Sequence, residues 1–358
     1  MRVCILGNGL SGLTLAKALV NLKIFVDVMP SKKSLQLNKS RTLGISKSNL
    51  EFFNNKITNI EKIIWKLKKI DIFSDNLKNE KLLNFKNKKD QLFSILKNSE
   101  LYNILDKSLK KSKYFKMINI NEKENFLQSY DIVISTDYSS PITKKYFTKQ
   151  ILKKYDSFAY TTIIEHKKII NDTATQIFTK KGPLAFLPIS NNKTSIVYSI
   201  LNSINCKNEK IKDLIYDYNF KYKIKKINNI ESFELKSFSL RSYYNHKFLA
   251  FGDLLHRIHP LAGQGFNMTI RDIKTFLEII ENRNNLGLSL DYSINSEFEN
   301  KTKHKNFIFA NGIDFIHEFF NFERKIQNNT LSKSIQFLGK QPSINKVFTN
   351  LADKGINI

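Results

Sequence analysis

The sequence predicts a mixed α/β chain, α+β in its later part. It combines a Rossmann-like nucleotide-binding domain, an interleaved antiparallel-sheet domain and C-terminal helices. Three observations predict this. An apolar strand pattern opens into a glycine-rich turn and a helix within residues 2–29. Four strand-like runs crowd together between 157 and 200. From about 291 to 351 the pattern is helical, with a Phe-rich face at Phe307, Phe309, Phe315, Phe319, Phe320 and Phe322.

Val3, Cys4, Ile5 and Leu6 form the continuous apolar run required of a parallel strand buried on both faces. Gly7-Asn8-Gly9-Leu10-Ser11-Gly12 then reads G-x-G-x-x-G. A helix follows, with Leu13, Leu15, Ala16, Leu19 and Val20 inward, and 24–29 is a second strand. This strand–turn–helix context is what a dinucleotide fingerprint demands. Gly7 allows the tight turn, Gly9 admits the pyrophosphate, and Gly12 lets helix and strand pack closely. The acid expected after the second strand is missing: its position holds Pro30, while Asp27 lies three residues early. Ser31 or a backbone group is left to take its place. Losing one hydrogen bond to a charged group costs roughly 1.5–3 kcal/mol, which weakens nucleotide binding without abolishing it.

Arg41 stands out in a Lys-rich chain, because a bidentate fork suits phosphate or carboxylate; a surface ion pair is the plainer reading. Residues 49–66 and 98–112 are expected as helices, and 67–97 as short strands with lysine-rich turns. Asp131–Asp137 is a further buried-strand pattern returning to the nucleotide sheet. The runs 157–166, 174–180, 184–188 and 193–200 suggest an antiparallel sheet. A helix over 208–226 and strands at 231–240 and 247–251 follow. The expected domains are therefore discontinuous: 1–70, 98–145 and 247–285 for the nucleotide domain, 71–97 and 146–246 for the sheet or substrate domain, and 286–358 for the C-terminal helices.

The chain has 358 residues, 41% of them hydrophobic and 28 of them Phe, which suits a folded globular protein with a large core. No apolar run approaches the length of a transmembrane helix, and the N-terminal run is too short for a signal peptide. A cytoplasmic location is expected, with peripheral attachment at the inner face of the cytoplasmic membrane as an extension. Cys4 and Cys206 give neither a disulfide framework nor metal-ligand spacing, so no metal is expected, and Cys4 reads as plain core. The formal net charge is +26. Compositional drift toward Lys, Asn and Ile accounts for it, and attraction to an anionic membrane surface is the alternative. Nucleic acid is not an expected partner, because the lysines are spread along the chain and no recognition motif is present.

The stretch Phe251–Asn267 is the centre of the chain. It holds Gly252, Gly263 and Gly265 of the 12 glycines, and His256 and His259 of the six histidines. It reads as strand, Gly-Asp turn, Pro-Leu-Ala-Gly-Gln-Gly loop, and a helix starting near Asn267. A glycine-rich loop feeding a helix N-terminus presents free N–H groups and a positive dipole end, which suits phosphate or a ring that accumulates negative charge.

Gly252-Asp253-x-x-His256-x-Ile258-His259-Pro260-Leu261-Ala262-Gly263-Gln264-Gly265-x-Asn267, followed by Arg271-Asp272, resembles the second FAD-binding motif of the group A flavoprotein monooxygenases. Within them it is similar to the UbiH-type ubiquinone-biosynthesis hydroxylases. The N-terminal glycine motif, Arg41 with Ile45-Ser46, Gly182–Pro188, Gly312-Ile313-Asp314 with Phe319-Phe320, and Pro342 to Gly355 resemble further segments of that family, so the likeness spans essentially the whole chain.

The resemblance implies an FAD-binding domain and hydroxylation of an aromatic ring. The substrate implied is a prenylated phenol of ubiquinone biosynthesis, oxidised with NADH or NADPH and O2 through a flavin C4a-hydroperoxide. It assigns Gly7, Gly9 and Gly12 to the pyrophosphate, Arg41 to the phosphate and ribose side, and Asp253, after Gly252, to the ribityl or pyrophosphate hydroxyl region. Asp137 is the surviving acid of a motif that serves flavin and nicotinamide. Pro260, Gly263, Gln264 and Gly265, with Asn267 behind them, are placed beside the isoalloxazine. There N–H groups and the helix dipole stabilise the reduced anionic ring. His256 and His259 either brace the loop or, for His259, move a proton. Partners implied are the aromatic substrate and the membrane surface or a ubiquinone-biosynthesis complex.

Leu254 and Leu255 stand where the family has alanines. Tyr138, Pro141 and Lys144 replace its Gly, Ser and Arg. The changes at Tyr138, Pro141 and Lys144 fall in a motif that serves both flavin and nicotinamide, and with Pro30 they leave two other readings open. One is a degenerate flavoprotein serving as a structural subunit; the other is a related flavoenzyme with a different substrate.

Overall fold

The computed structural model describes residues 1–30, 40–77, 80–86, 91–118, 124–201, 208–260, 263–326 and 330–355. Ser31, Cys206, Leu261 and Ala262 lie outside them. Three sheets organise these residues. The first runs in the order Tyr244–Asn245, Phe248–Ala250, Ile132–Ser135, Arg2–Leu6, Phe25–Met29, Phe115–Met117. Its pairings are parallel except at the Tyr244–Asn245 edge. Parallel neighbours need a crossover, which the helix Leu10–Asn21 supplies between the first two strands. Val3, Ile5, Ile132 and Ile134 are fully buried, as their continuous apolar runs require. Cys4 is also core, and burial pushes its thiol up to about 12.

The second sheet runs in the order His256–Arg257, Glu231–Leu240, Gln150–His166, Lys193–Leu201, Gly182–Pro188, Thr173–Thr179, Lys69–Ser74, Lys81–Lys86, with Ile224–Ile227 paired to one end of Gln150–His166. The four crowded runs are antiparallel neighbours or lie one strand apart, as expected. Lys69–Ser74 joins parallel to Thr173–Thr179, which the spacing did not foretell. Thr42–Ser46, Phe93–Lys97 and Trp65–Leu67 form a small third sheet.

Two expected helices are shorter than predicted. The first is helical only over Lys47–Phe52, with a π turn at Phe53–Ile57. Trp65 instead pairs with Ile95, and its indole N–H donates to the Asn171 carbonyl at 2.6 Å. The second ends at Asp217, and Ile224–Ile227 is a strand. In both places Ile and Lys at helix-like spacing gave way to sheet partners far off in sequence, a tertiary override of local pattern. The C-terminal region is helical as expected, over Ser293–Ile326, Thr330–Lys340 and Pro342–Lys354. Its Phe residues are split rather than forming one face. Phe309 and Phe320 are buried, whereas Phe307, Phe315 and Phe322 are exposed. No helix among the described residues is long and apolar enough to cross a membrane.

One connection matters most. Phe248–Ala250 belongs to the first sheet, and His256–Arg257, six residues later, is the edge strand of the second. The segment Phe251–Asn267 therefore crosses from one sheet to the other and then enters the helix Gly265–Asn285.

Candidate flavin site

The glycine turn is shaped by contacts with no room for a side chain. Gly7 has φ +110, and a Cβ there would meet Thr136 Oγ1 at 2.6 Å and Asp137 Cβ at 2.9 Å. A Cβ at Gly12 would meet the Gly7 carbonyl oxygen at 2.4 Å. A Cβ at Gly9 would meet nothing within 4 Å. Two glycines thus serve the fold, while the third borders open space at the N-terminus of Leu10–Asn21. Thr136, which replaces the family's Ala, donates its hydroxyl to the Leu6 and Gly7 carbonyls at 3.1 and 3.3 Å. Asp137 beside it accepts from the Ser139 N–H and hydroxyl at 2.8 and 2.6 Å. Thr136 and Asp137 thus close over the glycine turn.

Asp27 does not replace the missing ribose acid. Its carboxylate accepts from Arg2 Nη2 and the Tyr130 hydroxyl, both at 2.7 Å, and is buried in that network. Pro30 directly follows the strand whose last carbonyl, on Met29, accepts from the Gly7 N–H at 2.8 Å. Arg41 is exposed, and its guanidinium stands over the Phe233 ring of the second sheet at 5.7 Å.

Gly252 has φ +66, and a Cβ there would meet Ser11 Cβ at 2.7 Å, so the Gly252–Asp253 turn packs against the start of the first helix. Asp253 is exposed there. Gly263, at φ +62, lies against the Gly44 backbone, 3.7 Å from where its Cβ would be. A Cβ at Gly265 would again meet nothing within 4 Å. Gln264 is buried, and its Oε1 has no hydrogen-bond partner. The helix Gly265–Asn285 begins here, and its N-terminal end carries the positive pole of the helix dipole. The space at Gly9 and Gly265, the bare Gln264 oxygen and this helix end fit a flavin nucleotide.

Asn267 acts through the protein. Fully buried, its Oδ1 accepts from the Ser46 N–H and Asn49 Nδ2, both at 2.9 Å. Its Nδ2 donates to the Gly44 and Gly263 carbonyls at 3.0 and 3.2 Å. The side-chain amide is fully used in pinning the loop to the strand Thr42–Ser46. Sequence reading placed it at the cofactor but could not see the strand it holds.

The two histidines differ. His256 Nε2 meets Asp272 Oδ2 at 2.5 Å, and Asn306 donates to the other Asp272 oxygen at 2.9 Å. That is a brace between edge strand and loop helix. His259 is 1% exposed, and neither ring nitrogen has a hydrogen-bond partner. Its ring packs 4.3 Å from that of His317 and edge-on to Tyr155 at 5.1 Å. Tyr155 donates to Asp314, which also approaches Lys153 at 3.8 Å. His317 and Tyr155 were not singled out from the sequence, and Asp314 was read only as part of the Gly312-Ile313-Asp314 segment; the only signal for His317 was that it is one of six histidines. His317 also lines a small crevice with Phe178, Gly182, Pro183, Phe320 and Asn321.

Burial and, second, the neighbouring His317 hold His259 well below the ordinary histidine range, so it is neutral at pH 7. Its proton is taken up in the unfolded chain but not in the folded one once the pH drops below about 6.5. Stability attributable to this residue is therefore present above that pH and declines below it, by up to about 1.4 kcal/mol per pH unit. Urea unfolding of wild type and His259→Leu between pH 7 and 5 should show a shallower decline in the variant. Equal slopes would mean that His259 titrates normally.

The fold and loop define a class: this is the fold of the FAD-dependent aromatic monooxygenases. p-Nitrophenol 4-monooxygenase PnpA from Pseudomonas putida DLL-E4 superposes with a TM-score of 0.76, over 99% of this chain and 98% of its own, at 11% identity. HpxO of Klebsiella pneumoniae, solved with FAD and uric acid, gives 0.75 over 99% and 97% at 12% identity. At such identities the likeness shows the fold alone. No family model matches the chain. In sequence it is similar to 3-demethoxyubiquinol 3-hydroxylase of Escherichia coli (strain K12), 28% identical over 156 residues, which are 42% of this chain and 40% of that relative. The match thus spans less than half the relative's length. Fold and sequence relative together bear out the resemblance to the UbiH-type hydroxylases.

Proposed function

We propose that the chain is an FAD-dependent monooxygenase that hydroxylates an aromatic ring, with NADH or NADPH and O2 as co-substrates. The substrate we propose is a prenylated phenol intermediate of ubiquinone biosynthesis. One observation carries the reading. Beyond the edge strand His256–Arg257, the start of the helix Gly265–Asn285 is open at Gly265 and carries a bare Gln264 oxygen.

FAD supplies hydride acceptance, oxygen activation and oxygen transfer when bound. The chain supplies the rest. Gly7, Gly9 and Gly12 would cradle the pyrophosphate, with Asp253 and Asp137 beside them and Arg41 on the phosphate and ribose side. Gly252 makes the turn that presents Asp253. Pro260, Gly263, Gln264 and Gly265 would border the ring, where free N–H groups and the helix dipole favour negative charge. Asn267 holds that loop in place. His259, neutral and with two bare nitrogens, is an acid–base group at the loop's edge.

The related hydroxylase's name points to ubiquinol chemistry, and that supports the substrate class. Cells lacking the protein should accumulate an under-hydroxylated prenyl-phenol, seen by extracting quinone intermediates. An unchanged quinone profile would favour a different aromatic substrate. Membrane attachment or membership of a biosynthetic complex belongs to the same proposal, with a basic chain of +26 as its only support.

A further inference from the structure

The helix Pro342–Lys354 ends on the corner that holds the ring loop. Ser46 is the N-cap residue of the short helix Lys47–Phe52, yet its side chain makes no cap. Its hydroxyl donates instead to the Asp353 carbonyl at 2.8 Å, and the Ser48 hydroxyl donates to the same carbonyl at 2.9 Å. Asp353 Oδ1 in turn accepts from the Ser48 N–H at 2.9 Å. That N–H is one of the free donors of the helix's first turn, and a carboxylate is what such a donor takes. The cap is therefore supplied from 305 residues away. Ser46 passes the contact on, because its own N–H donates to Asn267 Oδ1, and Asn267 holds Gly263.

A second tie lies one turn along the loop helix. Gly355 has φ +74 and ψ −159, a combination open essentially to glycine alone. A Cβ there would meet Arg271 Nε at 2.9 Å. Arg271 is held over the Phe309 ring at 4.5 Å. The end of the helix is thus fixed both to the strand behind the ring loop and to the helix that the loop enters.

We propose that Asp353 is a positioning residue for the flavin-ring loop. The C-terminal helix acts as a latch that keeps Ser46 and Asn267 in register, so that Gly263–Gly265 hold the geometry the ring requires. This rests on the flavin reading of the loop and goes beyond it by making the last helix part of the site.

The test compares Asp353→Ala, which removes the carboxylate from the Ser48 N–H while leaving the carbonyl that the Ser46 and Ser48 hydroxyls reach, with Asp353→Asn, which keeps an acceptor oxygen. Hydrogen exchange of peptides covering 263–270 is measured without FAD, with the peptide over the strand Arg2–Leu6 as control. FAD dissociation constants are measured alongside. The latch predicts about five- to tenfold faster exchange in 263–270 and a similar rise in the FAD dissociation constant for Asp353→Ala. The control peptide stays unchanged, and Asp353→Asn restores most of the effect. Unchanged loop exchange, or exchange that rises equally in the control peptide, overturns the proposal. If wild type takes up no FAD, the flavin reading fails by itself, and loop exchange still decides whether Asp353 positions the loop.

Discussion

Gly9→Ala is expected to leave the protein as stable as wild type and to weaken FAD binding at least about tenfold, whereas Gly12→Ala is expected to damage both. The two glycines lie three residues apart in one motif, but their surroundings differ. No described atom comes within 4 Å of a Cβ at Gly9, so a methyl group there meets only the space that the flavin proposal gives to the pyrophosphate. At Gly12 the methyl group meets the Gly7 carbonyl oxygen at 2.4 Å. That carbonyl cannot easily retreat, because the Gly7 N–H is bonded to Met29 and Thr136 closes over the turn. Overpacking of this kind costs about 1–3 kcal/mol. Thermal unfolding and an FAD titration on each variant check the contrast. Equal effects of the two substitutions on stability would contradict the division between fold and ligand.

Asn267→Leu should be the most destabilising single change at the site. The leucine keeps much of the volume but leaves the Ser46 N–H and the Gly44 and Gly263 carbonyls without their partner. The position is completely buried, so water does not readily replace the amide. At roughly 1–3 kcal/mol for each stranded buried group, part of it recovered by relaxation, the expected loss is about 3–5 kcal/mol. A fall of that size in the urea unfolding free energy, with loss of FAD uptake, is the expected outcome. A stable variant that still binds FAD would show that the loop does not depend on this clamp.

What the sequence made legible were features written in neighbouring residues. The buried run Val3–Leu6 followed by three glycines specified a parallel strand and its turn, and Asp131–Asp137 a strand returning to the same sheet. Both are paired as read. Gly252–Asn267 was likewise legible as a turn, loop and helix start. The short edge strand His256–Arg257 inside it was not, because two residues carry no periodicity and owe their strand form to Phe238 and Ser239. The helices expected at 49–66 and 208–226 failed for a related reason: their Ile and Lys spacing suits a helix, while sheet partners such as Ile95 set the outcome.

The supports of the site were the least legible part. Ser46 and Asp353 are 307 residues apart, Asn267 and Gly44 are 223 apart, and no local pattern links either pair. His259 stood in the motif, but the bareness of its ring nitrogens depends on Tyr155 and His317, which come from a strand and a helix distant in the chain. Asp27 is a further case. It lies three residues too early for the ribose acid, and the reason an acid stands there, its bonds from Arg2 and Tyr130, is not written in the local pattern.

The most direct measurement is a visible spectrum of the purified full chain after addition of FAD and removal of excess, followed by NADH or NADPH under nitrogen. The flavin reading predicts a retained yellow chromophore that the nicotinamide bleaches. A chain that stays colourless after FAD addition would contradict it. Retained flavin that neither nicotinamide reduces would instead leave a flavin-binding subunit, with the altered Tyr138–Lys144 segment as the place where reduction was lost.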